Sequence, residues 1–250
     1  MRKLRFAQCL FVAALAIGFL APAQVALANT ATCPHISGHL GSTACDYNLA
    51  AQFGVEDTFQ YATMAMSSSD ISAGYHINNT LWGYGTGCGI STVENDWVEV
   101  GYTLGFHKTG GYHIYWATVQ FGNYGDGVYA NVTADGSYHV FDVYGESNNF
   151  AATLDGRTVV TAQNGLGDFI CQGQAGLEVS LNAFDKSSTW ANTFVNKPLR
   201  WEDSSLTWHG AWPSTSNLWI DRGCGSTWKA PDCLNGIYYS TSYWADNKPS

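Results

Sequence analysis

Glu94, Asp96 and Glu99 place three carboxylates within six residues of a chain that is poor in charge. Charged residues make up 12% of the sequence and aromatic residues 14%, so acidic side chains in an apolar pattern stand out. A carboxylate on a buried sheet face is costly unless it is paired or takes part in chemistry. Two carboxyls that flank a bond can act as proton donor and as base or nucleophile in hydrolysis. This segment is therefore the first candidate for a catalytic site.

The spacing of the three acids leaves two interpretations open. Side chains alternate along a strand, so Glu94 and Asp96 would share one face while Glu99 lies on the other. All three meet only if a β-bulge adds a residue between Asp96 and Glu99. Alternatively, residues 94–96 form a turn before a strand that begins at Trp97, and Glu99 is then the one acid on the sheet.

The elements that would position these acids are short strands separated by Gly-, Asn- and Asp-rich turns. No capped helix with a sustained apolar stripe is evident, so we expect few or no helices. This spacing favours an all-β fold, an antiparallel jelly-roll sandwich. The predicted strands are 59–66, 81–84, 97–104, 112–121, 128–132, 138–144, 150–154, 158–162 and 177–181, with turns at 108–111 and 123–127.

Residues 1–28 have the pattern of a secretory signal peptide. A basic start precedes the apolar run 10–20, and Ala26-Leu27-Ala28 is a small-x-small cleavage site. We therefore expect a secreted, extracellular protein. Residues 29–57 are predicted to form an irregular, disulfide-tied segment. Residues 58–250 are predicted to form a single jelly-roll domain, with seven of the ten tryptophans beyond residue 189.

Six cysteines remain once the signal peptide is removed, and an even number in an exported chain predicts up to three disulfides. We favour a disulfide between the first two cysteines, one between the last two and, by elimination, one between the remaining two, although six cysteines permit fifteen pairings. In that order the pairs are Cys33–Cys45, Cys224–Cys233 and Cys88–Cys171.

Two β-hairpin segments carry a resemblance to a fold family. The segments 138–143 and 150–157 resemble the His-x-Tyr and Tyr-x-Asp-Gly hairpin pair of concanavalin A-like jelly rolls. The acidic segment is also similar to the Glu-x-Asp-x-x-Glu motif of laminarinase and lichenase glycosidases. That resemblance implies Glu94 as nucleophile, Glu99 as acid/base and Asp96 as the group that tunes the nucleophile.

A second resemblance involves the same strand. Residues 97–102, followed by 112–116, are similar to the paired core strands of glutamic peptidases, in which a Gln-bearing strand precedes a Tyr-rich one. Glu99 stands at the position of that Gln, and Glu178 lies in a later acidic strand. The resemblance implies a reconfigured Glu99/Glu178 pair. A group of secreted bacterial jelly-roll proteins with Trp-Val-Glu-x-Gly-Tyr is similar here as well.

Aromatic and polar residues next to the acidic segment are candidate substrate contacts. Tyr112, Trp116 and Gln120 share one face of a predicted strand, and such a mixed face suits stacking against sugar rings. Trp97 and Glu178 are further candidates. The alternative is that these aromatic rings fill the core of a sandwich.

Charge limits the choice of partners. In the mature chain, 8 Lys and Arg stand against 20 Asp and Glu, a net charge of −12. An acidic surface argues against nucleic acid and anionic membranes, and we expect a monomer. The histidines form no metal signature. We expect no cofactor; a structural Ca²⁺ held by turn aspartates such as Asp126 is the alternative that the sequence leaves open.

The function expected from the sequence is action on an extracellular polysaccharide, by binding and with or without retaining endo-glycoside hydrolysis. The alternatives are a glutamic-type peptidase active at acid pH and a non-catalytic structural or interaction protein.

Overall fold

The computed structural model describes thirteen stretches of the chain. They are residues 39–46, 53–85, 96–146, 149–163, 170, 172–180, 190–191, 194–196, 199–203, 205–210, 217–220, 235–239 and 242–246. Within them, every pair of neighbouring strands is antiparallel.

The described chain contains eighteen strands, one α-helix and one 3-10 helix. The strands are β1 (His39–Asp46), β2 (Gly54–Gln60), β3 (Met64–Ala65), β4 (Ile77–Tyr84), β5 (Trp97–Leu104), β6 (Tyr112–Gln120), β7 (Asn123–Val132), β8 (Tyr138–Glu146), β9 (Asn149–Leu154), β10 (Arg157–Gln163), β11 (Gln172–Ser180), β12 (Trp190–Ala191), β13 (Phe194–Asn196), β14 (Arg200–Glu202), β15 (Trp208–Gly210), β16 (Asn217–Ile220), β17 (Asn235–Tyr239) and β18 (Ser242–Asp246). The helices are α1 (Ser68–Ala73) and the 3-10 helix Phe106–Lys108.

Two large sheets form a sandwich. One has seven strands in the order β16-β1-β11-β4-β5-β6-β7, and the other has six in the order β10-β9-β8-β2-β14-β15. A two-stranded sheet (β12-β3) and a three-stranded sheet (β13-β18-β17) complete the described strands. The prediction of an all-β antiparallel jelly-roll sandwich is confirmed.

Alternate residues of the central strands fill the space between the two large sheets. Val98, Val100 and Tyr102 of β5 are fully buried in the same cluster as Phe59 and Phe141 of the opposite sheet. Each such side chain contributes about 1.5–3 kcal/mol when it is removed from water. The intervening residues of β5 therefore point to the other face of the seven-stranded sheet.

Two local expectations are corrected. Residues 39–46 and 54–57, predicted to be irregular, are strands, because β1 pairs with β11 along its whole length and β2 pairs with β8. The segment 68–73 is a short helix, in agreement with the expected few or no helices; Ser67 caps it, and its side chain accepts from the amide of Asp70. The predicted turn 123–127 is the start of β7, where the ring of Trp116 occupies the space that a Cβ of Gly127 would need.

Several predictions lie outside the described residues. These are the signal peptide and five of the six half-cystines; for Cys45, the backbone lies in β1 and the side chain is not described. The disulfide pairing and the domain boundaries therefore stay predictions. Among the described residues, no helix is long and apolar enough to cross a membrane.

Candidate functional site

Glu99 and Glu178 lie on the face of the seven-stranded sheet that points away from the sandwich core. We call this surface the Glu99 face. In the register of the sheet, Glu99 of β5 is opposite Trp82 of β4, and Glu178 of β11 is opposite Asn78 of β4. The two acids thus come from strands on either side of β4, and both are buried, at 4% exposure each.

Two hydroxyl groups hold the carboxyl of Glu99. The phenolic O–H of Tyr115, on β6, donates to Oε1, and Oγ1 of Thr80 donates to the same oxygen over 3.0 Å. Gly101 makes this arrangement possible, because a Cβ there would lie 2.8 Å from Cε1 of Tyr115 and 2.5 Å from the carbonyl oxygen of Asn79. The Tyr115 ring therefore occupies space that any other residue at position 101 would fill.

A separate chain of hydrogen bonds orients Glu178. The side-chain amide of Asn78 donates to Oε2 of Glu178 over 2.9 Å. Oγ1 of Thr103 in turn donates to Oδ1 of Asn78 over 2.6 Å, which fixes the orientation of that amide. On the other side, Nδ1 of His39 lies 3.5 Å from Oε1 of Glu178. The carboxyl is therefore positioned by three neighbouring strands.

The electrostatics of the Glu99 face favour protonated carboxyls. Burial, and next the negative charge of Glu178, raise the pKa of Glu99 far above its ordinary 4.5; the hydrogen bonds from Tyr115 and Thr80 and the charge of His39 oppose this rise. Burial also raises the pKa of Glu178, against the hydrogen bond from Asn78. A buried carboxyl that keeps its proton near neutral pH can act as a general acid.

Two histidines lie at the end of this face. Nε2 of His39 and Nε2 of His76 are 3.0 Å apart, at hydrogen-bond distance. Burial, and next the charge of His39, lower the pKa of His76 to about 4. Donor atoms of His39, His76 and Glu178 all lie within 4.8 Å of one another. The sequence indicated no metal site, but these residue types at this spacing have the geometry to hold a divalent ion.

Asp96 is not part of the site. The pairing of β5 with β4 and with β6 is unbroken from Trp97 to Leu104, so no bulge brings Asp96 round to Glu99. Oδ1 of Asp96 instead accepts from the amide of Phe121 over 2.8 Å, which ties the start of β5 to the β6–β7 turn. Glu94 lies outside the described residues. Asp96 therefore does not meet Glu99 on one face, and the catalytic roles of Glu94 and Asp96 stay predictions.

Tyr112, Trp116 and Gln120 also lie away from Glu99. They share the core-side face of β6 with Ile114, which is fully buried in the core. The hydroxyl of Tyr112 donates to the carbonyl oxygen of Met64, so this ring serves packing. All three lie on the opposite face of the sheet from Glu99, because the register places Ala117 rather than Trp116 opposite Glu99; their role as substrate contacts stays a prediction.

Trp97 does lie on the Glu99 face, two residues before the acid on β5. Its ring meets that of Tyr124 edge-on, with centroids 6.2 Å apart, and Tyr124 is 61% exposed. Asp126, considered for Ca²⁺, lies two residues further along β7, and its Oδ1 is 2.9 Å from Nε2 of His107. This side of the face offers aromatic surface next to the acid.

Sequence analysis missed several members of the site. Tyr115 and Thr80 were not singled out, and neither were the two aromatic residues of β4, Trp82 and Tyr84. Part of the information was present in the sequence: Tyr115 and Ala117 are two residues apart and so share one face of β6. Once Ala117 is known to pair with Glu99, Tyr115 is identified as a neighbour of the acid. No periodic signal marks the residues of β4, because all eight of its residues are buried.

No protein-family model matches the chain, and no curated protein matches it in sequence. Among solved structures, the chain is similar to a lichenase from a mouse hindgut metagenome, with 11% identity, a TM-score of 0.37 and 87% of this chain and 83% of that chain covered. It is also similar to the β-glucanase of Bacillus licheniformis, with 12% identity, a TM-score of 0.33 and 80% of this chain and 67% of that chain covered. A galectin of Caenorhabditis elegans is similar with 7% identity, a TM-score of 0.32 and 59% of this chain and 95% of that chain covered. The two antiparallel sheets of the chain, rather than these alignments, establish its jelly-roll sandwich fold.

Proposed function

We propose that the protein is a secreted hydrolase of extracellular polysaccharide, with Glu99 and Glu178 as its acid and base. The observation that carries this proposal is the placement of two buried, interacting carboxyls on one sheet face, beside exposed aromatic surface. Two buried acids on one sheet face are costly to the fold, and active sites are where such cost is commonly found.

We assign the role of acid to Glu99, because burial and the charge of Glu178 both raise its pKa. In this role Glu99 donates a proton to the glycosidic oxygen as the bond from that oxygen to the anomeric carbon breaks. Glu178, the other carboxyl of the face, takes a proton from the water whose oxygen bonds to the anomeric carbon. Tyr115 and Thr80 position the carboxyl of Glu99, and the ring of Trp97 provides a surface on which a sugar can stack.

The experiment is an assay of new reducing ends on a panel of soluble polysaccharides, with wild type, Glu99→Gln and Glu178→Gln. We expect activity on at least one polymer and a loss of at least about 100-fold in each variant. Asp142→Asn is the matched control, since burial raises the pKa of that carboxyl to about 7 on the other sheet. Full activity in Glu99→Gln, or an equal loss in Asp142→Asn, would overturn the assignment.

A second candidate function is proteolysis. It is favoured by one observation: the acid that interacts with Glu99 is Glu178 and not Asp96. Glu99 and Glu178 are the pair that the glutamic-peptidase resemblance implies. Its test uses the same variants with an unfolded protein substrate, from pH 3 to pH 8. Cleavage that both variants lose, with no release of reducing ends from any glycan, would select this function over the first.

A further inference from the structure

Two aromatic residues of β4 carry polar atoms that are buried and unpaired. Nε1 of Trp82 and the hydroxyl oxygen of Tyr84 have no hydrogen-bond partner among the described residues. The side chains are 1% and 4% exposed. Burying a donor without a partner costs free energy, and groups kept in this state commonly serve a ligand.

Both atoms belong to the Glu99 face. Trp82 is directly opposite Glu99, and Tyr84 is directly opposite Trp97 in the pairing of β4 with β5. The two unpaired groups therefore lie next to the proposed acid and next to the ring proposed to stack on a sugar. A ligand held between Trp97 and Glu99 would bring its own polar atoms to these groups.

The chemistry of the two groups defines what they can bind. The indole N–H of Trp82 can only donate. Burial, and next the charges of Glu99 and Glu178, raise the pKa of Tyr84 well above 10, so this hydroxyl keeps its proton and can donate as well. The ligand must therefore offer acceptor oxygens. An anionic sugar such as a uronate would be repelled by the negative charge of the acids on this face and of the strongly acidic chain, so we expect the ligand to be neutral.

We infer that Trp82 and Tyr84 form a hydroxyl-binding subsite for a neutral polysaccharide, in which sugar oxygens accept from Nε1 of Trp82 and from the hydroxyl of Tyr84. This inference rests on the proposed function and names its substrate class. It predicts that polymers of neutral sugars bind and that polyuronates do not.

The test compares Tyr84→Phe with Tyr102→Phe by affinity electrophoresis of the full chain in neutral glucans, mannans and xylans and in alginate and pectate. Tyr102 is the matched control, because its hydroxyl donates to the carbonyl oxygen of Ala62 on the core side of the sheet. We expect Tyr84→Phe to weaken binding of the neutral polymer about two- to tenfold, the loss of one neutral hydrogen bond. We expect Tyr102→Phe to bind like wild type.

Stability provides the second measurement. Tyr84→Phe should unfold at the same urea concentration as wild type or a higher one, whereas Tyr102→Phe should unfold at a lower one. A stability loss in Tyr84→Phe equal to that in Tyr102→Phe would overturn the inference by showing that the hydroxyl has a structural role.

The remaining outcomes separate the inference from the proposed function. If a neutral polymer binds equally to wild type and Tyr84→Phe, the subsite is wrong while the proposed function stands. If only a polyuronate binds, the substrate class is wrong. If no polysaccharide binds or is cleaved, both fail.

Discussion

Tyr115 donates its phenolic hydrogen to Glu99 from the neighbouring strand, and its ring lies over Gly101 to do so. A residue without a side chain on β5 thus determines the surroundings of the acid two positions earlier on the same strand. This relationship joins the geometry of the site to a single backbone position, and it leads to the first two predictions.

Gly101→Ala should destabilise the fold and disable the site. The new Cβ would lie 2.5 Å from the carbonyl oxygen of Asn79, which the sheet holds in place, so the strands must move apart. Overpacking of this kind costs about 1–3 kcal/mol, which urea denaturation would measure. Gly110→Ala is the control, because a Cβ there meets nothing within 4 Å. Equal stability of the two variants would contradict the prediction.

Tyr115→Phe should shift the pH profile of hydrolysis. The hydrogen bond from Tyr115 favours the ionised form of Glu99, so its loss should raise the pKa of Glu99 further. Because Glu99 is proposed to act while protonated, the alkaline limb of the profile of kcat should move to higher pH. The measurement is kcat between pH 5 and 10 in both proteins. A uniform loss of rate without a shift would indicate that Tyr115 has a structural role only.

Glu99→Gln should make the fold less sensitive to alkaline pH. The native pKa of Glu99 lies above its value in the unfolded chain, so its contribution is full below about pH 4.5 and is lost as the pH rises through the native pKa. The amide does not titrate, and its oxygen can still accept from Tyr115 and Thr80. Between pH 5 and 8, the free energy of unfolding should fall less steeply in the variant, by up to about 1.4 kcal/mol per pH unit. Identical slopes would show that Glu99 is ionised in the native protein.

His76 should limit stability on the acid side. Burial, and next the charge of His39, lower its pKa from 6.5 to about 4, and His107 adds a smaller lowering. The backbone hydrogen bond at Gly74 and the charge of Asp126 oppose this shift. A histidine that is neutral in the fold contributes stability above pH 6.5, and this contribution is lost as the pH falls towards 4. In His76→Gln, the fall in unfolding free energy between pH 6.5 and 4 should be shallower than in wild type. The measurement is urea denaturation at half-unit pH steps, and parallel curves would contradict the prediction.

Strand β5 was predicted from residue 97 to 104, and the structure has the same bounds, because Val98, Val100 and Tyr102 alternate with smaller or polar residues. The same alternation identifies Glu99 as a residue of the outer face. The sequence does not say which face of β6 joins it. That depends on the pairing of Ala117 with Glu99, a tertiary fact that no local pattern encodes.

The pairing of Glu99 with Glu178 shows where prediction from sequence stops. Resemblance suggested the pair, but β11 and β4 are buried along their whole lengths, so neither shows the period of two that assigns faces. Asp96 is a case in which the sequence was informative. Its neighbours predicted a turn before the strand, and in the structure its side chain accepts from the backbone amide of Phe121 in the β6–β7 turn. An acidic motif in one strand thus proved less informative than acids on two separate strands.

Strand β4 has consequences for how such a protein can diversify. Its outer residues Trp82 and Tyr84 lie on the proposed ligand surface, while Leu81 on its other face belongs to the core. Selection for a new ligand would act on side chains whose neighbours along the strand hold the two sheets together. We expect new specificities to arise first from the more open rim around Tyr124, where a substitution leaves the core untouched.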